Sequence, residues 1–154
     1  MQHSLNFERT YNTDVLSSFF CGVRKIDMLI HAKSQGLSTF ISDNDCEMYI
    51  VYYQDSPVAV FVYSETNILV NDKDYPSLEI DFIAVRQEFR RQGIGTAILR
   101  SIEDLAVRKG YHFLTVDAYY NKRYSAENFY LKCGFERNQH LPKQLEVVSM
   151  FKNV

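Results

Sequence analysis

A chain of 154 residues, 46% hydrophobic and 23% charged, has the size and composition of one globular domain, which excludes wholesale disorder and a disulfide-stapled scaffold. Lys and Arg total 17 against 19 Asp and Glu, for a net charge of −2, so no broad basic face for nucleic acid is expected. Apolar runs stop far short of the ~18 residues a spanning helix needs, and the first residues carry no secretory pattern, so the expectation is a cytoplasmic protein whose residues 1–154 form a single domain.

In chain order, Leu5 to Thr10 reads as a first strand, and Val23 to Gln35 sets Ile26, Leu29, Ile30 and Lys33 at helical spacing before Gly36 as a stop. Met48 to Tyr53 and Val58 to Ser64 are rich in Val, Ile, Tyr and Phe, and Gln54-Asp55-Ser56-Pro57 between them predicts a β-hairpin. Asn71 to Pro76 reads as a polar loop, and Leu78 to Val85 as a buried strand. From Ile94 the set Ala97, Ile98, Ile102, Leu105 and Ala106 keeps helical spacing up to Gly110, a left-handed cap. A strand from His112 to Ala118, a short helix from Ser125 as N-cap to Cys133 with Gly134 as stop, and a last strand from Glu146 to Phe151 complete the order. The fold class is mixed α/β (α+β), with mostly antiparallel connections except across the long helix. Cys21, Cys46 and Cys133 form no Cys-x-x-Cys pair and read as small hydrophobes in a reducing compartment. His3, His31, His112 and His140 show no metal-ligand spacing, so no metal is expected.

The segment Arg90-Arg91-Gln92-Gly93-Ile94-Gly95-Thr96 places two glycines at the start of the long helix. Amides in a first helical turn have no intrahelical acceptor, the helix dipole favours an anion there, and glycine lets a phosphate oxygen reach the main chain without meeting a Cβ. Arg90 and Arg91 add forked donors. The plainer alternative is a tight turn beside a solvated basic pair. A dinucleotide fingerprint would need glycine where Ile98 stands, and no Gly-Lys-Ser/Thr of a P-loop is present.

Arg90-x-x-Gly93-x-Gly95, following a strand that ends Ile83-Ala84-Val85, resembles the acetyl-CoA signature of the GNAT superfamily of N-acetyltransferases. Downstream, Ala126-x-x-Phe129-Tyr130-x-Lys132-x-Gly134-Phe135 is similar to the second part of that family's core, so the resemblance covers roughly Leu78 to Phe135. It implies a twisted mixed sheet flanked by helices and splayed between the strands Leu78 to Val85 and Phe113 to Ala118. It also implies a main chain at Ile83, Ala84 and Val85 that lies along pantetheine, and amides from Arg91 through Gln92, Gly93, Ile94 and Gly95 to Thr96 that take the pyrophosphate. Tyr130 matches the family tyrosine that protonates the departing thiolate. The asparagine many members carry seven residues earlier is replaced by Arg123.

Acetyl transfer to an amine needs a neutral nitrogen, a stabilised oxyanion and a proton for sulfur. Glu79 and Asp81, at i and i+2 on one strand, face the same side, and Glu79 stands where some members carry a catalytic glutamate. Both acids could instead only hydrogen-bond neighbouring strands. The oxyanion donor implied by the resemblance is the Val85 amide. Tyr130 could instead be a half-buried aromatic beside Phe129, and Cys133 lacks a positioned base for thiol chemistry.

The leading expectation is therefore an N-acetyltransferase that moves acetyl from acetyl-CoA directly to a small-molecule or peptide primary amine. Phe20-Cys21-Gly22-Val23-x-x-Ile26-Asp27 also resembles a segment of acetyltransferase toxins that modify aminoacyl-tRNA. For that branch the acceptor would be charged tRNA and the partner an antitoxin, and the net charge speaks against the basic surface such a substrate needs. A non-catalytic acyl-CoA sensor is a third reading, and a homodimer is an assembly to test.

Overall fold

The computed structural model describes residues 4–11, 45–89, 91–119, 126–138 and 147–154. The helix expected over Val23 to Gln35, the toxin-like segment at Phe20 to Asp27, Cys21, Arg90 and Ser125 lie outside the described residues. Seven strands are ordered β1-β2-β3-β4-β5-β7-β6 in one sheet. They are β1 (Leu5–Thr10), β2 (Glu47–Tyr53), β3 (Ser56–Val70), β4 (Lys73–Val85), β5 (Phe113–Tyr119), β6 (Glu136–Arg137) and β7 (Val147–Asn153). Two helices are described, α1 (Ile94–Lys109) and α2 (Glu127–Lys132), with a 3₁₀ turn at Gln87–Phe89. The chain forms two compact units, Met1–Ser64 with Phe82–Gly95, and Glu65–Asp81 with Thr96–Val154. No helix among the described residues is long and apolar enough to cross a membrane.

In the first unit β1, β2 and the start of β3 form an antiparallel meander, with Leu5 opposite Tyr53 and Glu47 opposite Tyr63. The β2–β3 turn is shorter than the four residues expected. Gln54 and Asp55 both take positive φ, 51° and 64°, so two residues close the hairpin and Ser56 and Pro57 already pair with Tyr53 and Tyr52. A turn with two left-handed residues matches the twist of its strands. Tyr49, Phe61 and Tyr63 stack across this sheet. The Tyr49 and Tyr63 hydroxyls both donate to Glu47, which Arg9 approaches at 3.6 Å. Burial first, then the bond to Glu47, pushes Tyr63 well above the ordinary tyrosine range.

The polar loop expected over Asn71 to Pro76 is also mostly strand. Asn71 and Asp72 alone turn, with φ of 51° and 64°, and Lys73 to Pro76 open β4. Strongly polar residues masked the strand because β4 begins in solvent, where nothing selects for apolar side chains. β3 likewise runs past Ser64 to Val70, through Glu65, Thr66 and Asn67 to the buried Ile68.

In the second unit β4 pairs β5 in parallel, from Ser77 opposite Phe113 to Ile80 opposite Val116, and both strands continue beyond this ladder. A parallel pair requires a crossover, and α1 supplies it. Pleating sends Leu78 and Ile80, with Leu114, Val116, Val148 and Met150, to one face, where all are buried. Lys152 lies on that face and pairs with Glu103 of α1, so α1 covers it. The helix buries Ile94, Ile98, Leu99, Ile102 and Ala106; Ala97 and Leu105 of the expected stripe are only half-buried and Leu99 is added, and each buried Ile or Leu contributes about 1.5–3 kcal/mol. Gly110 (φ 84°) caps it, its amide reaching Val107 while Tyr111 reaches Ala106.

Gly134 ends α2 as expected, at φ 92°. A Cβ there would meet Lys152 Cε at 3.2 Å, whereas one at Gly110 would meet nothing within 4 Å. Gly110→Ala should therefore cost only the left-handed backbone penalty, about 1 kcal/mol or somewhat more. Gly134→Ala should cost that and the displacement of Lys152. Urea midpoints of the two variants check this, and equal midpoints would show that Lys152 moves aside freely.

Candidate functional site

The strand-turn-helix segment begins where β4 leaves the sheet. The Arg86 amide donates to the Val58 carbonyl at 2.8 Å and the Phe89 amide to the Arg86 carbonyl at 2.9 Å, and Gln92 Nε2 donates to the Glu88 carbonyl at 3.1 Å. Arg91 (φ 64°) and Gly93 (φ 78°) are both left-handed. For Arg91 that conformation costs about 1–2 kcal/mol, strain that a plain connection between strand and helix would not need. α1 then starts at Ile94, so Gly95 lies in helical backbone and Gly93 takes the left-handed turn.

Arg91, Gln92 and Gly93 are exposed, and Gly95 and Thr96 are half-buried. Ile94 is buried, so only its main chain can meet a ligand. The amides of this first helical turn have no intrahelical acceptor. A turn with a glycine at its apex and free amides behind it fits an anion such as a pyrophosphate. Of the residues expected along pantetheine, Ala84 is buried and Ile83 and Val85 are half-buried.

Burial, the leading cause, raises the Cys133 pKa despite the neighbouring Thr96 side chain, which acts to lower it, and a thiol held protonated is a poor nucleophile. Cys46 and Cys133 are only half-buried, less enclosed than the small hydrophobes expected.

Tyr130 is 8% exposed. Its ring lies edge-on between Phe129, at 5.2 Å, and Phe135, at 5.3 Å. The Phe135 amide donates to the Tyr130 carbonyl at 3.0 Å, which closes the chain over the tyrosine. Ala126 precedes α2 as its cap, without a side-chain cap bond.

On the sheet face opposite α1, a cleft of about 290 Å³ is lined by Asp74, Glu79, Thr115, Asp117, Asn138 and Ser149 among others. Glu79 stands opposite Thr115 in the parallel ladder, and Asp117 is two residues further along β5 on the same face. Ser149 Oγ donates to Asp117 at 3.0 Å. Its main chain anchors Asn138, whose amide donates to the Ser149 carbonyl at 2.8 Å. Asp81 shares the Glu79 face by alternation but does not line the cleft. No Lys, Arg or His lines it among the described residues. Sequence reasoning missed Asp74, Asp117, Asn138 and Ser149. An acid between the apolar residues Val116 and Ala118 of β5 was the available signal for Asp117. No cluster of three or more His, Cys, Asp or Glu fit for a metal occurs among the described residues.

Residues 13–135 match the model of the acetyltransferase (GNAT) family. The chain belongs to that family. Its signature turn and Tyr130 motif both fall inside the match, and the open, mostly antiparallel sheet agrees with GNAT-fold structures. Among solved structures, a Tyr-to-Phe variant of the toxin AtaT, bound to the C-terminus of the antitoxin AtaR and acetyl-CoA, is 20% identical with a TM-score of 0.68, over 97% of this chain and 93% of that one. An IAA acetyltransferase from Bacillus cereus is also 20% identical at a TM-score of 0.68, over 98% of this GNAT chain and all of its own. AtaT complexed with acetyl-methionyl-tRNAfMet is 18% identical at a TM-score of 0.65, over 97% and 95% of the two chains. No curated protein matches the sequence.

Proposed function

We propose that this GNAT chain transfers an acetyl group from acetyl-CoA directly to a primary amine. The observation that carries the reading is the left-handed Arg91 and Gly93 turn opening α1, which supports a main-chain anion site inside the stretch that matches the family. Acetyl-CoA supplies the activated acyl group as a thioester. The chain's own residues bind and move protons. Amides from Arg91 to Thr96 hold the pyrophosphate, and the main chain of Ile83 to Val85 lies along the pantetheine arm. The Val85 amide donates to the carbonyl oxygen as charge develops on it.

An amine near pKa 10 arrives protonated at neutral pH. The cleft at Glu79 suits such a cation, because Asp74, Glu79 and Asp117 all line it. Glu79 takes the ammonium proton directly or through water, with Asp81 as the other carboxylate on that face. The freed nitrogen forms the C–N bond and loses a second proton, the C–S bond breaks, the Tyr130 hydroxyl gives its proton to the departing sulfur, and the proton from nitrogen restores the tyrosine through water. The net products are an acetamide, the free thiol and one proton.

Thiol release from acetyl-CoA against a panel of amines, peptides and charged tRNAs, with mass spectrometry of the product, tests the reading. Acetyl-CoA binding without transfer to any of them would move the sensor reading ahead. Glu79→Gln should lower turnover about tenfold or more near pH 7, since a general base is worth roughly 10²–10⁴ in rate. The loss should shrink as pH rises toward the amine pKa, where the acceptor deprotonates unaided. A pH-rate profile identical to that of the parent would remove Glu79 from the mechanism.

A toxin acting on aminoacyl-tRNA is the second reading, favoured by the fold similarity to AtaT with its antitoxin and with tRNA. The carboxylates of the cleft weigh against it, because nucleic-acid affinity rests on cations that meet phosphates. Growth arrest on induced expression, absent in Tyr130→Phe, would favour this reading and call for an antitoxin partner.

A further inference from the structure

We infer that Lys152 is a positioning residue for Tyr130, joining the end of α2 to α1, the helix that opens with the coenzyme turn. The inference rests on the reading of Tyr130 as general acid. The Lys152 side chain rises from β7 and is about one-quarter exposed, as is that of Glu103. Its ammonium pairs with the Glu103 carboxylate on α1 and donates to the Cys133 carbonyl at 2.8 Å.

Cys133 is the C-cap of α2, where carbonyls lack helical partners. The next residue is the left-handed Gly134, and the one after it is Phe135, whose amide and ring both close on Tyr130. Lys152 thus grips the loop whose far end packs against the tyrosine. Its stem also lies over Gly134, where a Cβ would meet Cε at 3.2 Å. Only a side chain with several donors on one cation can serve a carboxylate and a carbonyl together. A partly exposed ion pair contributes little stability by itself, so the two contacts matter chiefly for where they hold α2. Nothing in the reading needs Lys152 to touch either substrate.

A lysine that only stabilised the fold would affect turnover equally whether or not Tyr130 carried its hydroxyl. The test is a double-mutant cycle of Lys152→Met and Tyr130→Phe. Turnover and acetyl-CoA KM are measured as thiol release, with acetyl-CoA alone, where water accepts the acetyl group, and with the best amine of the panel. Circular dichroism reports folding. Lys152→Met should lower kcat about tenfold with acetyl-CoA KM within about twofold, and should cost no more than about twofold further in the Tyr130→Phe background, because residues acting through one group are non-additive. Glu103→Gln, which removes only the charge of the α1 leg, should show the same non-additivity in smaller measure, and serves if Lys152→Met does not fold. An equal loss in both backgrounds, or full kcat in a folded Lys152→Met, overturns the inference. Full turnover in Tyr130→Phe alone would instead remove the general acid first and the inference with it.

Discussion

Tyr130→Phe is expected to lower turnover on the true acceptor by at least tenfold, since a general acid contributes about 10²–10⁴ in rate. The variant is clean because the ring stays. Phe129 and Phe135 pack against Tyr130 edge-on, contacts that phenylalanine keeps. Losing the hydroxyl as a structural group would cost no more than about 0.5–1.5 kcal/mol of stability. Acetyl-CoA affinity should hardly change, because the proposed coenzyme contacts are main-chain groups of Ile83 to Val85 and Arg91 to Thr96. Steady-state kinetics, calorimetry with acetyl-CoA and a thermal melt separate the roles. Near-full turnover in the folded variant would end the general-acid assignment.

Gly95→Val is expected to abolish measurable acetyl-CoA binding while leaving the protein folded. Gly95 lies within α1 and is not among the glycines with positive φ, so valine can adopt its backbone. The cost to the fold is that of a β-branched residue near a helix start, at most about 1 kcal/mol and offset by removing a helical glycine. The cost to the ligand is a branched side chain among the amides that a phosphate must approach. The same change at Gly93 would be harder to interpret, since its φ of 78° would strain any other residue. Calorimetry decides, with circular dichroism as the control. Unchanged affinity in folded Gly95→Val would place the coenzyme away from this turn.

Much of this was legible in the sequence because local physics is strong at particular points. The α1 stripe from Ile94 to Ala106 follows from a 3.6-residue period, its end from a glycine that tolerates positive φ, and the β4 core from apolar residues pleated around Leu78 and Ile80. The family signature was readable for a related reason. Anion binding at a helix start needs glycine at particular positions, so the chemistry leaves a mark in one short segment. The Tyr130 motif is likewise local, since the tyrosine, the left-handed Gly134 and the returning Phe135 are all neighbours in the chain.

What escaped the sequence depends on residues far apart in it. The strands β3 and β4 extend through polar residues because pairing with a neighbour, not burial, sustains them there, and pairing has no local signature. The short turns at Gln54-Asp55 and Asn71-Asp72 looked longer for the same reason. Glu79 and Asp81 were placed on one face by alternation alone, yet their separation into a residue that lines the cleft and one that does not depends on β5, β7 and Asn138. Asp117, Ser149 and Asn138 join Glu79 only because a parallel ladder fixes Glu79 opposite Thr115 and β7 lays Ser149 beside Asp117. Lys152 is a plain lysine near the end of a strand until the fold sets it between Glu103 and the Cys133 carbonyl. Sequence alone determined the segments whose conformation is set within a few residues, whereas the cleft and the grip on the Tyr130 helix were decided by tertiary pairing, because charges and hydrogen bonds act through space rather than along the chain.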